Sequence, residues 1–265
     1  MYEVSIIITA FNAEKYISDS ISSILKQTFK EWIIIAVDDG SSDSTFDILN
    51  SFKTSLKSQF ILIKNEKNLG INVSLNKALE KVNTPFFTRQ DADDLSLPNR
   101  LEILINSLKQ NTKYQFVSSR MRSINDEDLI FPINLKTYPN KSDFIVSLPY
   151  CNAPTLFRSL ILKKVRFNPS KIYKKRFEDY EFFFQCISNN FYGFNVDDIT
   201  YLVRQDLNYY SKILPSQRIV EAYLKFRIFF KFKISLINIS HIFIPLIKIF
   251  IPTKIYKVLL KNYYK

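Results

Sequence analysis

The chain has 265 residues, 46% of them hydrophobic and 23% charged, a composition that folds and excludes a disordered or low-complexity polymer. Two cysteines exclude a disulfide framework, and a single histidine, His241, excludes His-based catalysis and a multi-His metal centre. The net charge is +12, but ten Lys and Arg stand against Glu221 alone beyond residue 214, so the excess describes a basic tail and not a nucleic-acid-binding body.

Val4–Thr9 (VSIIIT) reads as a buried strand that ends at Ala10-Phe11-Asn12. The spacing of Tyr16, Ile17, Ile21, Ile24 and Leu25 predicts a helix from about Ala13 to Gln27. No basic and apolar leader precedes that strand, so no secretory signal is expected. Ile33–Val37 (IIIAV) is a second buried strand, stopping at Asp38-Asp39-Gly40-Ser41-Ser42-Asp43. There Asp43 or Ser42 is placed to cap a helix through Thr45, Ile48, Leu49 and Phe52. Phe60–Lys64 reads as a strand, Ile71–Lys81 as a helix, and Phe86–Arg89 as a fourth strand ending at Asp91-Ala92-Asp93-Asp94. Strands separated by helices predict a parallel sheet with right-handed crossovers, whose ligands sit beyond the carboxyl ends of the strands. The acid-bearing loops therefore face one crevice.

After Pro98 a helix to about Gln110 and a strand near Gln115–Ser118 follow. Beyond Asn125 the periodicity weakens around Pro132, Pro139, Pro149 and Pro154; it returns as a helix at Phe177–Asn189 and a strand at Ile199–Arg204. No internal repeat or low-complexity linker interrupts the chain.

Two features carry chemistry. The chain has only three glycines, Gly40, Gly70 and Gly193, and so spends them where backbone geometry demands it, the first beside Asp38-Asp39 and the second at a helix start. Asp91, Asp93 and Asp94 share one short loop directly after a buried strand. Like charges this close repel, and a divalent cation shared with substrate phosphates would relieve them, as Mg²⁺ sites commonly do; a solvated acidic turn ahead of the next helix is the plainer reading.

Together these segments resemble family 2 glycosyltransferases of bacterial surface polysaccharides. VSIIITAFNAEKYI and VDDGSSDST match the start of the family pattern; NLGINVSLNKAL and FFTRQDADDLSLPNRL continue it, and CNAPTLFRSLILKKVRF and RFEDYEFFFQ match its acceptor-side and Glu-Asp segments, over roughly residues 3–205. The resemblance implies a GT-A fold, a Rossmann-like, mostly parallel sheet flanked by helices, with a basic, apolar helical appendage at the C-terminus. It implies that Thr9 and Phe11 meet the nucleotide base, with Glu14 a looser candidate for base or ribose, and that Asp39 accepts a hydrogen bond from uracil, favouring a UDP-sugar donor. Asp91 and Asp93 match the DxD pair, Asp93 as direct ligand of Mn²⁺ or Mg²⁺ and Asp91 nearer the ribose or metal waters. Arg89 and Arg100 flank this site, to contact phosphate or to brace the loop, and Arg204 falls near the place of an Arg by the diphosphate. Asp179 matches the catalytic base of an inverting transfer, with Glu178 to orient acceptor hydroxyls and Glu181 pointing elsewhere.

The pattern also departs from the family. Many relatives carry His before the Pro-Thr of the acceptor segment, where this chain has Asn152-Ala153-Pro154-Thr155, so acceptor or sugar selection there is expected to differ. The QxxRW motif of processive synthases is absent, which fits a single addition. A sugar-phosphate nucleotidyltransferase would want a Gly-rich phosphate loop that AFNAEKY lacks, and a non-catalytic binding subunit would have no reason to keep both the DADD loop and Glu178-Asp179.

The boundaries expected are a catalytic domain over 1–214, with a nucleotide-sugar half (1–120) and an acceptor half (121–214), and a basic amphipathic tail over 215–265. In that tail Arg227, Lys231, Ser235, Asn238, His241, Pro245 and Lys248 recur at helical spacing among Ile, Leu and Phe, too many polar residues for a membrane span. An in-plane helix on an anionic membrane surface and a helical hairpin packed on the catalytic domain or on a second subunit remain as readings. The expectation is a cytoplasmic enzyme, peripheral at the cytoplasmic face of the inner membrane. Its partners would be a nucleotide sugar, a saccharide or lipid-linked saccharide acceptor and the membrane surface, with no nucleic acid.

Overall fold

The computed structural model describes residues 1–125, 130–132, 135–173, 177–204, 214–252 and 255. Arg176 of the RFEDYEFFFQ segment, and Lys254, Lys257, Lys261 and Lys265 among the ten basic residues of the tail, lie outside the described residues.

The β-branched runs form β1 (Val4–Ala10), β2 (Trp32–Asp38), β3 (Phe60–Lys64) and β4 (Phe86–Asp91), all mutually parallel in the order β3-β2-β1-β4. Between them run α1 (Ile17–Leu25), α2 (Thr45–Leu56) and α3 (Ile71–Leu79). Side-chain alternation splits the core into two layers. Ile6 and Ile8 of β1, with Ile34 and Ala36 of β2, turn toward α1 and toward α4 (Arg100–Gln110); Ile7, Ile35 and Val37 turn toward α3. Strands buried on both faces read as unbroken apolar runs, which is why VSIIIT and IIIAV announced themselves.

Past β4 the sheet becomes mixed: β8 (Leu156–Arg158) pairs antiparallel with β4 and with β6 (Phe116–Ser123), and β9 (Gly193–Val203) runs parallel to β6. Short β5 (Leu95–Ser96) and β7 (Ile130–Phe131) complete nine strands among the described residues. Two of these elements exceed the sequence expectation, since β6 continues to Ser123 and β9 begins at Gly193, six residues early. Pairing with each other explains both, because Phe116 opposes Gly193 and Ser123 opposes Val203. Gly193 is required there: a Cβ would lie 2.1 Å from the Phe116 ring.

A short α5 (Asp143–Val146), α6 (Glu178–Ser188), α7 (Pro215–Phe232) and α8 (Ser240–Ile247) follow the mixed part of the sheet. Of the readings open for the tail the structure shows the helical hairpin, so no single helix carries the polar stripe from Arg227 to Lys248. Lys233 adopts φ +51°, and the Ile234 N–H reaches back to Phe229 O at 3.0 Å, a left-handed closing turn that ends α7 and folds the chain into a hairpin. Leu224, Ile228, Phe229, Ile234 and Ile242 of this hairpin join the same buried cluster as Phe182 and Phe183 of α6. Among the described residues no helix is long and apolar enough to cross a membrane.

Candidate active site

Sheet register assembles the site. Thr9 of β1 lies beside Asp91 of β4, and Ala10 beside Asp38 of β2, so the strand-end loops open side by side. They border a cleft of about 600 Å³ lined by Thr9, Phe11, Asp39, Arg89, Asp91 and Asp93 among the sequence candidates. Tyr16, Asn68, Gly70 and Ile71 line it too, and the sequence reading did not single out Tyr16, Asn68 or Ile71.

The β1 and β2 loops are stitched to one another. Asn12, at φ +49°, takes the Ser42 N–H at 2.9 Å on its Oδ1 and donates its own N–H to Ser41 Oγ at 3.0 Å. Asp43 Oδ2 accepts Glu14 N–H at 3.1 Å, while Asp43 Oδ1 accepts from the Thr45 N–H and hydroxyl and so serves the start of α2. Glu14 Oε2 accepts Ser44 N–H at 2.9 Å. The Glu14 carboxylate therefore braces the two loops and is not part of the cleft lining.

Asp39 is buried with both oxygens engaged. Oδ1 accepts Asn65 Nδ2 at 2.8 Å and Leu69 N–H at 2.9 Å, and Oδ2 accepts Gly70 N–H at 2.9 Å. The carboxylate clasps the Asn68–Gly70 turn against the cleft. Gly40 is needed beside it, because at φ +72° any Cβ would lie 2.4 Å from the Lys67 backbone. This explains the sparing use of glycine.

The DADD loop is organised by two arginines and a tyrosine. Arg89 Nε meets Asp91 Oδ1 at 2.6 Å, and its Nη1 meets Asp179 Oδ1 at 3.0 Å. Burial works against the Arg89 charge, yet Asp91, Asp179 and Glu178 outweigh it and hold the guanidinium proton more tightly than usual. Tyr201 Oη accepts the Asp91 N–H at 3.0 Å. Arg204 donates from Nε to Asp93 O at 2.6 Å and from its backbone N–H to Asp94 Oδ1 at 2.8 Å, with its guanidinium over the Tyr16 ring. Burial and the nearby Asp91 raise the carboxyl of Asp93, and burial with Asp91 and Asp93 pushes Asp94 up to about 8. A divalent cation fits this electrostatic situation, since added positive charge relieves the repulsion that raises both groups. Among the described residues no set of three His, Cys, Asp or Glu forms a protein-only metal cage, so Asp93 and Asp91 would hold a cation only with help from a bound phosphate.

Arg100 stays away from the cleft. It is 1% exposed and donates to Gln90 Oε1, Ser96 Oγ, Thr88 Oγ1, Arg89 O and Ala153 O, with no carboxylate partner among the described residues; burial lowers it to about 10. It braces β4 to the turn at 152–155.

That turn carries a residue the motif reading noted only as a departure. Asn152 Nδ2 donates to Asp179 Oδ1 at 2.7 Å. Asp179 sits in the first turn of α6, directly after Phe177 at φ +68°. Burial raises the Asp179 carboxyl; Arg89 opposes it, Glu178 and Asp91 add to it, Asn152 opposes it, and the outcome is about 7. With both donors on Oδ1, Oδ2 is left to take a proton. Glu178 shares the first turn of α6, and Glu181 turns away to Gln185 Nε2 at 2.5 Å and Arg227 at 3.7 Å. No local signal marks Asn152 as Asp179's partner, because the two are 27 residues apart and meet only in the fold.

The profile of glycosyl transferase family 2 matches residues 5–197. The chain is similar to EpsE of Bacillus subtilis (strain 168), at 28% identity over 253 residues, covering 96% of this chain and 91% of EpsE. It is similar to the UDP-Glc:alpha-D-GlcNAc-diphosphoundecaprenol beta-1,3-glucosyltransferase WfgD of Escherichia coli, at 31% identity over 190 residues and 71% of each chain. Among solved structures, residues 1–349 of S. aureus TarS in complex with UDP-GlcNAc superpose with a TM-score of 0.68 at 21% identity, over 93% of this chain and 71% of that one, a likeness of fold.

Proposed function

The chain belongs to glycosyl transferase family 2 and has the GT-A fold, and on that premise we propose that it moves one sugar from a UDP-linked donor to a hydroxyl of a growing surface glycan with inversion. The observation that carries the reading is Arg89, one guanidinium that ties the donor-side carboxylate Asp91 to the acceptor-side carboxylate Asp179. The two halves of a displacement need that proximity: a leaving group on one side of C1 and a base on the other.

In this reading the nucleotide lies along the loops of β1 and β2, with Thr9 and Phe11 beside the base and Asp39 at its edge, while Glu14 holds the two loops together. Asp39 keeps a lone pair on Oδ2 beyond the Gly70 N–H, so it can clasp the turn and still accept from a uracil N–H. Asp93, with Asp91, would hold Mn²⁺ or Mg²⁺ on the diphosphate, where the cation offsets charge developing on the departing UDP. Asp179 Oδ2 takes the proton of the acceptor hydroxyl as its oxygen attacks C1; the bond from C1 to the phosphate oxygen breaks, and its electron pair leaves with UDP. Glu178 orients the acceptor. The WfgD likeness supports a UDP-sugar donor and a lipid-linked saccharide acceptor, which would place the enzyme at the cytoplasmic face of a membrane. Residues 1–214 form the catalytic unit in this reading, 1–120 serving the donor and 121–214 the acceptor, with 215–265 as the appendage that meets the membrane.

Calorimetric titration with UDP, GDP, CMP and dTDP, with and without Mn²⁺, tests the donor. Metal-dependent UDP binding that disappears in Asp93→Ala is the expected result; tighter binding of another nucleotide overturns the uracil assignment, and silence for all four overturns the transferase reading itself.

A further inference from the structure

Most of the exposed large apolar side chains among the described residues lie at or after Leu214. Their spacing is regular. On α7 they are Ile219, Tyr223, Phe226 and Phe230, which at 3.6 residues per turn fall within about 60° of one another. The rings of Phe226 and Phe230 meet tilted at 52°, with 4.5 Å between centroids. Ile239, Phe243, Ile247 and Phe250 repeat the pattern through α8, and the turn between the helices adds Leu236 (73% exposed) and Ile237 (85%). Core-facing residues of the same helices, Ile228 and Phe229 on one and Ile242 on the other, are already buried against the domain. The outward stripes are therefore a second apolar face that the chain's own core does not require.

Charge says what covers it. From residue 215 onward there are ten Lys and Arg and one acid, Glu221. That acid is spent internally, with Arg218 at 3.0 Å and Lys225 at 3.7 Å. Exposed Lys231 and Lys233 stand where the α7 stripe passes into the turn. Aromatic and aliphatic stripes bordered by lysine, with no free carboxylate on the hairpin, match an anionic lipid interface, where rings sit at headgroup depth and ammonium groups meet lipid phosphate. A protein partner would need a groove complementary to a convex, lysine-bordered surface, and nothing on the hairpin favours one.

We propose that the α7–α8 hairpin is a rigid foot that lies on an anionic bilayer and turns the Asp179 side of the active site toward it. The coupling is short. Phe184 of α6, five residues from Asp179, meets Phe232 of α7 at 5.6 Å; Arg227 bridges to Glu181 of α6 and to Tyr173 at 2.9 Å; Lys225 donates to Val146 O at 2.9 Å. A foot fixed to the helix that carries the base presents that base to an acceptor held in the membrane, so water-soluble and lipid-linked acceptors become distinguishable. The orientation toward the acceptor rests on the proposed role of Asp179, whereas the lipid contact does not.

The test is co-flotation of the full chain, without substrates, with vesicles of phosphatidylcholine alone and of phosphatidylcholine mixed with phosphatidylglycerol. Binding to the mixed vesicles, weakened by salt, is expected, and the combined Phe230→Ser, Ile237→Ser and Phe250→Ser variant should lose it by more than about tenfold. These side chains are exposed, so thermal melting and UDP titration should match wild type. Lys231→Glu with Lys233→Glu should remove the preference for phosphatidylglycerol. Wild type that ignores both vesicles, or a serine variant that floats as well as wild type, overturns the proposal. A dimer in solution that the serine variant abolishes also overturns it, by assigning the stripes to a second copy of the chain. Loss of transfer in Asp179→Asn with flotation intact keeps the foot and the base apart; flotation with undiminished transfer in Asp179→Asn would sink only the reading of the base.

Discussion

At the ends of β1 and β2 the carboxylates are held by backbone N–H groups: Asp39 by Leu69 and Gly70, Asp43 by Glu14 and Thr45, Glu14 by Ser44. Asp179, on the other side of Arg89, is held by two side chains, Asn152 and Arg89 itself. Backbone donors are fixed once the loop is formed, so the β1 and β2 side of the cleft is rigid to the extent that the sheet is. Side-chain donors can be removed without disturbing a loop, so the Asp179 side can vary chemistry at small cost in stability. The prediction is that substitutions on the two sides will separate stability from turnover.

Asp179→Asn is the sharpest way to break this comparison. Turnover should fall by about 10²–10⁴-fold, the range for losing a general base, while UDP titration is unchanged. Its stability should move the other way. The folded carboxyl at about 7 lies above the unfolded value of about 3.9, so the folded state disfavours the charge and loses stability as pH rises from about 4 to 7. The neutral Asn variant should therefore melt no lower than wild type at pH 8, and a large drop in melting temperature would give Asp179 a structural role instead.

Arg100→Met is the counterpart for stability. It takes a donor away from five buried acceptors, among them Ala153 O and Arg89 O, and should cost about 3 kcal/mol or more in urea unfolding. Gly193→Ala follows at about 1–3 kcal/mol, because the Phe116 ring must move; an unchanged unfolding midpoint would show that β6 and β9 part more easily than their pairing implies. On the donor side, Asp39→Asn leaves one of its three N–H donors facing an amide NH₂ and should cost about 1–3 kcal/mol together with weaker UDP binding by calorimetry. If it alters turnover alone, the contrast between the two sides fails.

The smallest expected effect is the most informative about Asp179. With Asp179 as the proposed base, wild-type kcat/KM should fall as pH drops through about 7, because protonation removes it. Asn152→Ala removes a hydrogen bond to the charged form, so that acid limb should move to higher pH by up to about one unit, with turnover down roughly tenfold and UDP affinity intact. An unmoved limb would reduce Asn152 to a wall of the pocket.

The four leading strands, their helices and the acid-bearing loop ends were legible from residues alone, because strands buried on both faces leave unbroken apolar runs and a parallel sheet delivers its strand ends to one edge. The gathering of Thr9, Phe11, Asp39, Asp91 and Asp93 around one cleft followed from that topology. Less could be read where partners are remote. Two-residue β5, three-residue β8 and the early start of β9 leave no periodicity to detect, and they exist because Phe116 meets Phe157 and Gly193, and Leu95 meets Leu202, across the sheet.

The sequence by itself determined the chain's composition of strands and helices in its first hundred residues, the sign of its tail and the positions of its carboxylates. Tertiary structure alone decided which of them work together: that Glu14 braces loops, that Arg100 is buried as a brace, that Asn152 and Arg89 converge on one oxygen of Asp179, and that the tail folds at Lys233 into a hairpin with one face buried and one bare. The physical reason is range. Periodicity and charge are properties of neighbours along the chain, whereas hydrogen bonds between residues 27 or 90 positions apart are set by how sheet and helices pack.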